Sequence, residues 1–212
     1  MSAGEPPQGA NCTPLGQRSA KVASVGDHIA HSSMTRSAEP TARVFLALLP
    51  PPAAQRALGD LAREAARRAH GRPVPAENMH ITLAFVGAWP IARMPMLTEA
   101  AHHIVGESIH IALDVLGTFR RAGVAWIGSS SPPDALLQVQ SALAAALRSG
   151  GVAFDDLQPY RPHVTLARRC RGPYPQNATT PVAFDVDRFS LMQSETRGEG
   201  ARYRTLAEWP LG

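Results

Sequence analysis

Behind a polar leader, the chain alternates short apolar runs with amphipathic stretches. Residues 1–40 are rich in Ser, Gly, Pro and Ala without a sustained period, which predicts a disordered N-terminal extension. Met34 stands just ahead of the ordered pattern, as an alternative start would. A single domain is expected over 41–212. It opens with an apolar run at 43–49, read as a buried strand and stopped by Pro50-Pro51-Pro52. From 53 to about 70, Leu58, Leu61 and Ala65 recur at helical spacing, with Arg56, Arg63 and Arg67 outside; prolines suit the first turn of such a helix. Gly71-Arg72-Pro73 ends it. A strand is predicted over 79–86, a helix over 91–104, and a strand over 109–116, where Ile109, Ile111, Leu113 and Val115 alternate.

The second half repeats this order. A strand over 124–127 is followed by Pro132-Pro133, a helical pattern over 134–148, Gly150-Gly151, a loop, and a strand that starts at His163. The first half likewise runs strand, prolines, helix, glycine, loop, and a strand starting at a histidine. Two further strands are expected over 184–192 and 202–208. The predicted fold is α+β: two pseudo-symmetric lobes, each an antiparallel sheet with helices on the outer face, around a central cleft.

The chemistry lies in His80-Ile81-Thr82-Leu83 and His163-Val164-Thr165-Leu166. Strand side chains alternate, so His80 and Thr82 share one face while Ile81, Leu83 and Phe85 share the other; His163 and Thr165 pair off in the same way. Hydrolysis of a phosphodiester needs a nucleophile activated on one side and a leaving oxygen protonated on the other. Histidine titrates near neutrality and suits either task. Threonine hydroxyls can donate to the non-bridging oxygens as charge builds there. A lone His-x-Thr is most often an ordinary strand histidine. Two copies at equivalent places of two matching halves are the stronger signal. No metal enters this scheme, and neither motif supplies the carboxylate or third histidine that a metal hydrolase would need. His102 and His103 are adjacent and do not share a helix face as an i, i+4 pair would; with His28, His31, His70 and His110 they read as ordinary histidines.

Composition narrows the classes. Hydrophobic residues make up 44% and charged residues 18%, enough apolar surface for a core. Formal charge is +4, and Lys21 is the only lysine. Arginine suits phosphate and stacks on bases, but an arginine-rich composition produces the same balance, so charge alone does not choose a partner. No apolar run is long enough for a membrane span, and no secretory leader is visible, so a cytoplasmic protein without membrane contact is expected. The two cysteines, Cys12 and Cys170, form no CxxC pair, which argues against structural zinc.

The two motifs with their flanks resemble the two-histidine (2H) phosphoesterases. Arg43-Val44-Phe45-Leu46-Ala47-Leu48, Glu77-Asn78-Met79-His80, Arg161-Pro162-His163 and Arg202-Tyr203-Arg204-Thr205-Leu206 are similar to the LigT-like branch, called RNA 2′,3′-cyclic phosphodiesterases or 2′-5′ RNA ligases. The resemblance runs from about Arg43 to the C-terminus. It implies a bilobal body that opens 2′,3′-cyclic phosphates to 2′-phosphates without cofactor or metal. It also implies His80 as general acid toward the 3′ oxygen, His163 as general base, Thr82 and Thr165 gripping the phosphate, and Arg168 assisting. Phe45 and Tyr160 match aromatic positions where a base could stack. The implied partner is an RNA end carrying a cyclic phosphate, tRNA fragments among the candidates, bound by a monomer; the reverse reaction would join ends through a 2′-5′ linkage. On a flat strand the odd spacing from His163 turns Arg168 to the wrong face, so a bulge or twist is required. Phe45 reads as core or platform, and Tyr160 as loop packing or platform. Two alternatives stay open: a phosphodiesterase for a small nucleotide or ADP-ribose cyclic phosphate, and a non-catalytic RNA-binding module, which intact His-Thr pairs disfavour.

Overall fold

The apolar run at the start of the domain forms β1 (Thr41–Leu48), whose residues from Val44 to Leu48 are all buried. Pro52 then opens α1 (Pro52–Arg68), since its fixed φ and missing N–H cost nothing in the first turn. The helix buries Ala54, Leu58, Ala62, Ala65 and Ala66 and ends on Arg67 and Arg68, beside its negative pole. The other elements are β2 (Arg72–Pro73), β3 (Ile81–Pro90), α2 (Met94–His102), β4 (Ile109–Phe119), β5 (Val124–Gly128), α3 (Asp134–Ser149), β6 (His163–Arg168), β7 (Ala178–Val186), β8 (Arg188–Arg197) and β9 (Gly200–Pro210). The computed structural model describes residues 39–156, 159–172, 174, 178–197 and 200–212. All of the expected N-terminal extension except Glu39 and Pro40 lies outside the described residues.

The nine strands of the described residues form one sheet, in the order β7-β4-β5-β6-β3-β1-β8-β9, with β2 paired to β6. The two halves are thus joined into a single sheet, at β6 and β3. Read outward from that junction, each half presents first a strand preceded or opened by histidine, then the strand that leads into a long helix, then two more. The helices cross over: α1, which follows β1, packs on β6 and β7, whereas α3, which follows β5, packs on β3. Both lie on one face, where Leu46, Leu58, Ile81, Ile111, Ile127, Leu143, Val164 and Leu191 belong to the main core.

The strand expected over 184–192 is two strands. Asp187 alone separates β7 from β8, which lie six steps apart in the sheet order. A flat sheet would put them about 29 Å apart at ~4.8 Å per strand. Two peptide units span at most about 7.6 Å. The sheet therefore bends strongly, bringing the outer strands of its halves together at that corner. No helix among the described residues is long and apolar enough to cross a membrane.

Candidate active site

The junction strands touch through one pair, Ile81↔Val164, antiparallel. Both side chains are fully buried on the helix-covered face. Their chain neighbours must face the other way, so His80, Thr82, His163 and Thr165 all emerge on the opposite face. Continuing the register by one residue each way sets His80 across from Thr165, and Thr82 across from His163. The two histidines are then diagonal neighbours, about 7–8 Å apart by sheet geometry.

Reciprocal hydrogen bonds reinforce this thin junction. The segment before His80 crosses to the other half, where Arg72 pairs with Arg168 and the Val74 amide donates to the Leu166 carbonyl at 2.8 Å. The segment before His163 does the converse: the Asp155 amide donates to the Phe85 carbonyl at 2.7 Å, and the Tyr160 hydroxyl to the Thr82 carbonyl at 2.9 Å. Burial pushes the Tyr160 phenol's pKa up, keeping that donor protonated.

Each imidazole is held in the same way. His80 Nδ1 lies 2.7 Å from the carbonyl of Asn78, and His163 Nδ1 lies 2.8 Å from that of Arg161, in both cases two residues earlier. A carbonyl only accepts, so each Nδ1 carries the proton and donates it. Each neutral ring therefore keeps its Nε2 lone pair for other work. Asn78 is itself buried, and its side-chain amide donates to the Ala201 carbonyl at 2.8 Å, fixing the start of β9 beside His80. Aromatic rings flank both histidines. Phe45 and Tyr203 lie 4.8 and 5.2 Å from His80, and Phe119 and Trp126 lie 5.1 and 6.0 Å from His163. Trp126 lies so close over Gly117 that a Cβ there would meet the indole at 2.1 Å.

Burial lowers the pKa of both imidazoles. That of His80 falls to about 4; the Asn78 bond opposes the shift, while repulsion from Arg168 and His163 adds to it. His163 is lowered for the same leading reason, with Arg168 again contributing. The resting site thus favours two neutral rings beside the permanent cation of Arg168.

Arg168 reaches the site by a bulge. Trp126 pairs with Thr165 and Ala125 with Ala167, so Leu166 is an extra residue in β6. Leu166 and Ala167 are both buried, and Arg168 returns to the face of Thr165. The same device follows the first motif: Ala47 pairs with Thr82 and Leu46 with Ala84, making Leu83 the extra residue. Phe85, opposite Phe45, consequently shares the face of Thr82. Strict alternation had placed Phe85 with Ile81 on the core face; the bulge overturns that expectation.

A cavity of about 290 Å³ opens on this face, lined by Arg43, His80, Thr82, Phe85, Arg168 and Tyr203 among others. His163 and Thr165 adjoin it through the junction but are not among its lining residues. Phe45 belongs to a small separate cluster with Ala47 and Met192, so it is buried flooring beneath His80 and Tyr203. The Arg43 guanidinium lies over the Phe85 ring, 4.6 Å from its centroid. Tyr160 does not line the cavity. Sequence reasoning missed Arg43, Asn78, Phe119, Trp126 and Tyr203. Phe119 and Trp126 were accessible to it, since pairing across the turn at Gly123 sets Gly117 against Trp126 and leaves Phe119 on that face. No group of three His, Cys, Asp or Glu side chains suited to a metal occurs among the described residues.

The family model described as the 2′-5′ RNA ligase superfamily matches residues 50–198. The chain is 33% identical over 147 residues to a protein of Escherichia coli K12 named RNA 2′,3′-cyclic phosphodiesterase, covering 66% of this chain and 80% of that one. It is 27% identical over 189 residues to a protein of the same name from Thermus thermophilus, covering 80% and 90% of the two. The crystal structure of E. coli LigT complexed with 3′-AMP superposes with a TM-score of 0.74 at 27% identity, covering 81% of this chain and 99% of that chain. On the matched family, the relatives and the shared fold together, this chain belongs to the 2′-5′ RNA ligase superfamily, the two-histidine phosphoesterases.

Proposed function

We propose that this protein hydrolyses the 2′,3′-cyclic phosphate at an RNA end and leaves a 2′-phosphate. One observation carries the reading: two imidazoles, each tied at Nδ1 to a carbonyl, flank a single strand junction with Nε2 available. In this mechanism His163 takes a proton from water through its Nε2 lone pair as the oxygen attacks phosphorus. His80, protonated at Nε2, gives its proton to the departing 3′ oxygen. The resting site disfavours that protonated form, so the negative charge of the bound phosphodiester must raise the His80 pKa. The hydroxyls of Thr82 and Thr165 donate to the non-bridging oxygens, and the Arg168 guanidinium balances the charge that grows on them. Phe45 and Tyr203 offer the apolar wall for the terminal base, with Tyr203 the more open of the two; Tyr160 acts through its hold on the Thr82 backbone. Run with an RNA 5′-hydroxyl in place of water, the same site would form a 2′-5′ bond.

The names and ligands of the relatives support an RNA-derived substrate. A small cyclic nucleotide would fit the same chemistry. The test is to incubate the protein with an oligoribonucleotide ending in a cyclic phosphate, with and without chelator, and to identify which hydroxyl keeps the phosphate. Retention on the 2′ oxygen, unaffected by chelator, is expected. A 3′-phosphate product would require a different leaving oxygen, and an unreacted end would reject the activity.

A further inference from the structure

A second cavity, of about 340 Å³, lies at the far end of the strands that carry Phe119 and Arg168; its lining includes Thr118, Arg120, Val124, Cys170, Arg171 and Tyr174. It shares no lining residue with the first cavity and is linked to it through Val124. Val124 pairs with Arg168 and with Phe119, and the Cys170 amide donates to the Gly123 carbonyl at 2.9 Å. Between Arg168 and Cys170 the backbone of Arg169 takes a left-handed φ of 56°. The chain therefore turns sharply there, and Arg168 faces the first cavity while Arg171 lines the second. Three peptide units separate their Cα atoms by no more than about 11 Å. No carboxylate lines the second cavity. Arg72, Arg120, Arg168 and Arg171 all gather at this end of the sheet, and none is ion-paired to a carboxylate among the described residues, unlike Arg63, Arg67 and Arg68 of α1.

The geometry points to a second phosphate subsite in this cavity, where Arg120 and Arg171 hold a backbone phosphate of the RNA on the 5′ side of its reacting end. The inference rests on the phosphodiesterase reading and extends it: the protein would prefer a chain to a mononucleotide. Single-stranded RNA supplies a phosphate at each step beyond the terminal nucleotide, whereas a cyclic mononucleotide supplies none. Paired arginines grip one such group bidentately without reading sequence.

The experiment compares wild type with the Arg120→Ala/Arg171→Ala double variant on a 2′,3′-cyclic mononucleotide and on an oligoribonucleotide with the same cyclic end. The oligonucleotide KM is expected to rise about tenfold or more, and its salt dependence to flatten by about 0.7 in log–log slope, the share of one phosphate on a single strand. Mononucleotide kinetics should stay unchanged, which also certifies the fold. Equal losses on both substrates, or none on either, would overturn the subsite. Should wild type hydrolyse neither substrate, the proposed activity fails by itself. The subsite is then judged by anisotropy of a labelled oligoribonucleotide, where an unchanged Kd in the double variant rejects it.

Discussion

The His80 half and the His163 half of the site set the same backbone frame around different side chains. In each, an imidazole donates through Nδ1 to the carbonyl two residues back, a threonine follows two residues on, and a bulged leucine comes next. The frame then delivers the residue five places after the histidine to the cleft face. In one half that residue is Phe85, with Arg43 stacked on it; in the other it is Arg168. What a phosphate needs twice, an imidazole and a hydroxyl, is kept in both halves. In the proposed mechanism the guanidinium at the developing charge is the one at this position of β6; Arg43, the other guanidinium lining the cavity, is stacked on Phe85. The opposite strand keeps an apolar wall at the matching place, which suits a base or ribose.

If the halves act as a pair, removing either imidazole should be the most damaging change. His80→Ala and His163→Ala should each lower kcat on a cyclic-phosphate substrate by about 10³-fold, in the usual range for a lost general acid or base. Single-turnover rates at unchanged circular dichroism would check this. If only one variant loses activity, the two halves are not acid and base to a common phosphorus. Next in size is the contrast at the fifth position. Arg168→Ala should cost about 10²-fold in kcat/KM, as for a lost stabiliser of transition-state charge. Phe85→Ala should cost less than about tenfold, mostly in KM. Arg168→Lys should recover only part, because an ammonium lacks the planar fork. Equal losses at both positions would erase the distinction between a charged and an apolar side.

Much of this comparison was legible beforehand. Alternation alone put His80 with Thr82 and His163 with Thr165, and the repeated order of elements put the two pairs on equivalent strands. The bulge after Thr82 was not legible, and the one after Thr165 only as a bulge or twist that Arg168 would require, because a bulge is defined by the partner strand's register, which no local pattern carries. Phe85 was therefore assigned to the core face, and Arg168 needed a twist that spacing alone did not supply. Asp187 hid a strand boundary for a similar reason: β7 and β8 join different halves of the sheet, yet a single residue separates them in sequence. Tyr203 sits in a segment that reads as an ordinary strand, and only the position of β9 against the His80 side makes it part of the site.

The frame is also anchored differently on its two sides. The Asn78 carbonyl orients His80 while the Asn78 side chain holds the Ala201 carbonyl. Asn78→Ala should therefore lower stability by about 1 kcal/mol, the cost of a lost buried hydrogen bond. It should also slow turnover about tenfold by loosening the ring that β9 confines. Thermal melts and a pH–rate profile separate the two effects. A destabilised protein with wild-type kcat and an unmoved acidic limb would confine Asn78 to the fold.

The last contrast lies in stability against pH, and it distinguishes the halves without substrate. Both imidazoles have folded pKa values below the ordinary 6.5, so in acid the unfolded chain binds more protons than the native one. Stability from this source is fully present above about pH 6.5 and declines as pH falls toward about 4, where native His80 is protonated too and its share of the slope ends. His80 is repelled by both Arg168 and His163, whereas for His163 the repelling group is Arg168. His80→Gln should accordingly flatten the melting-temperature profile between pH 4 and 6.5 more than His163→Gln does. Inorganic phosphate, by raising both pKa values, should flatten the wild-type profile in the same window. If the two variants flatten it equally, the halves are electrostatically alike, and the division of labour between them rests on Arg168 and Phe85 alone.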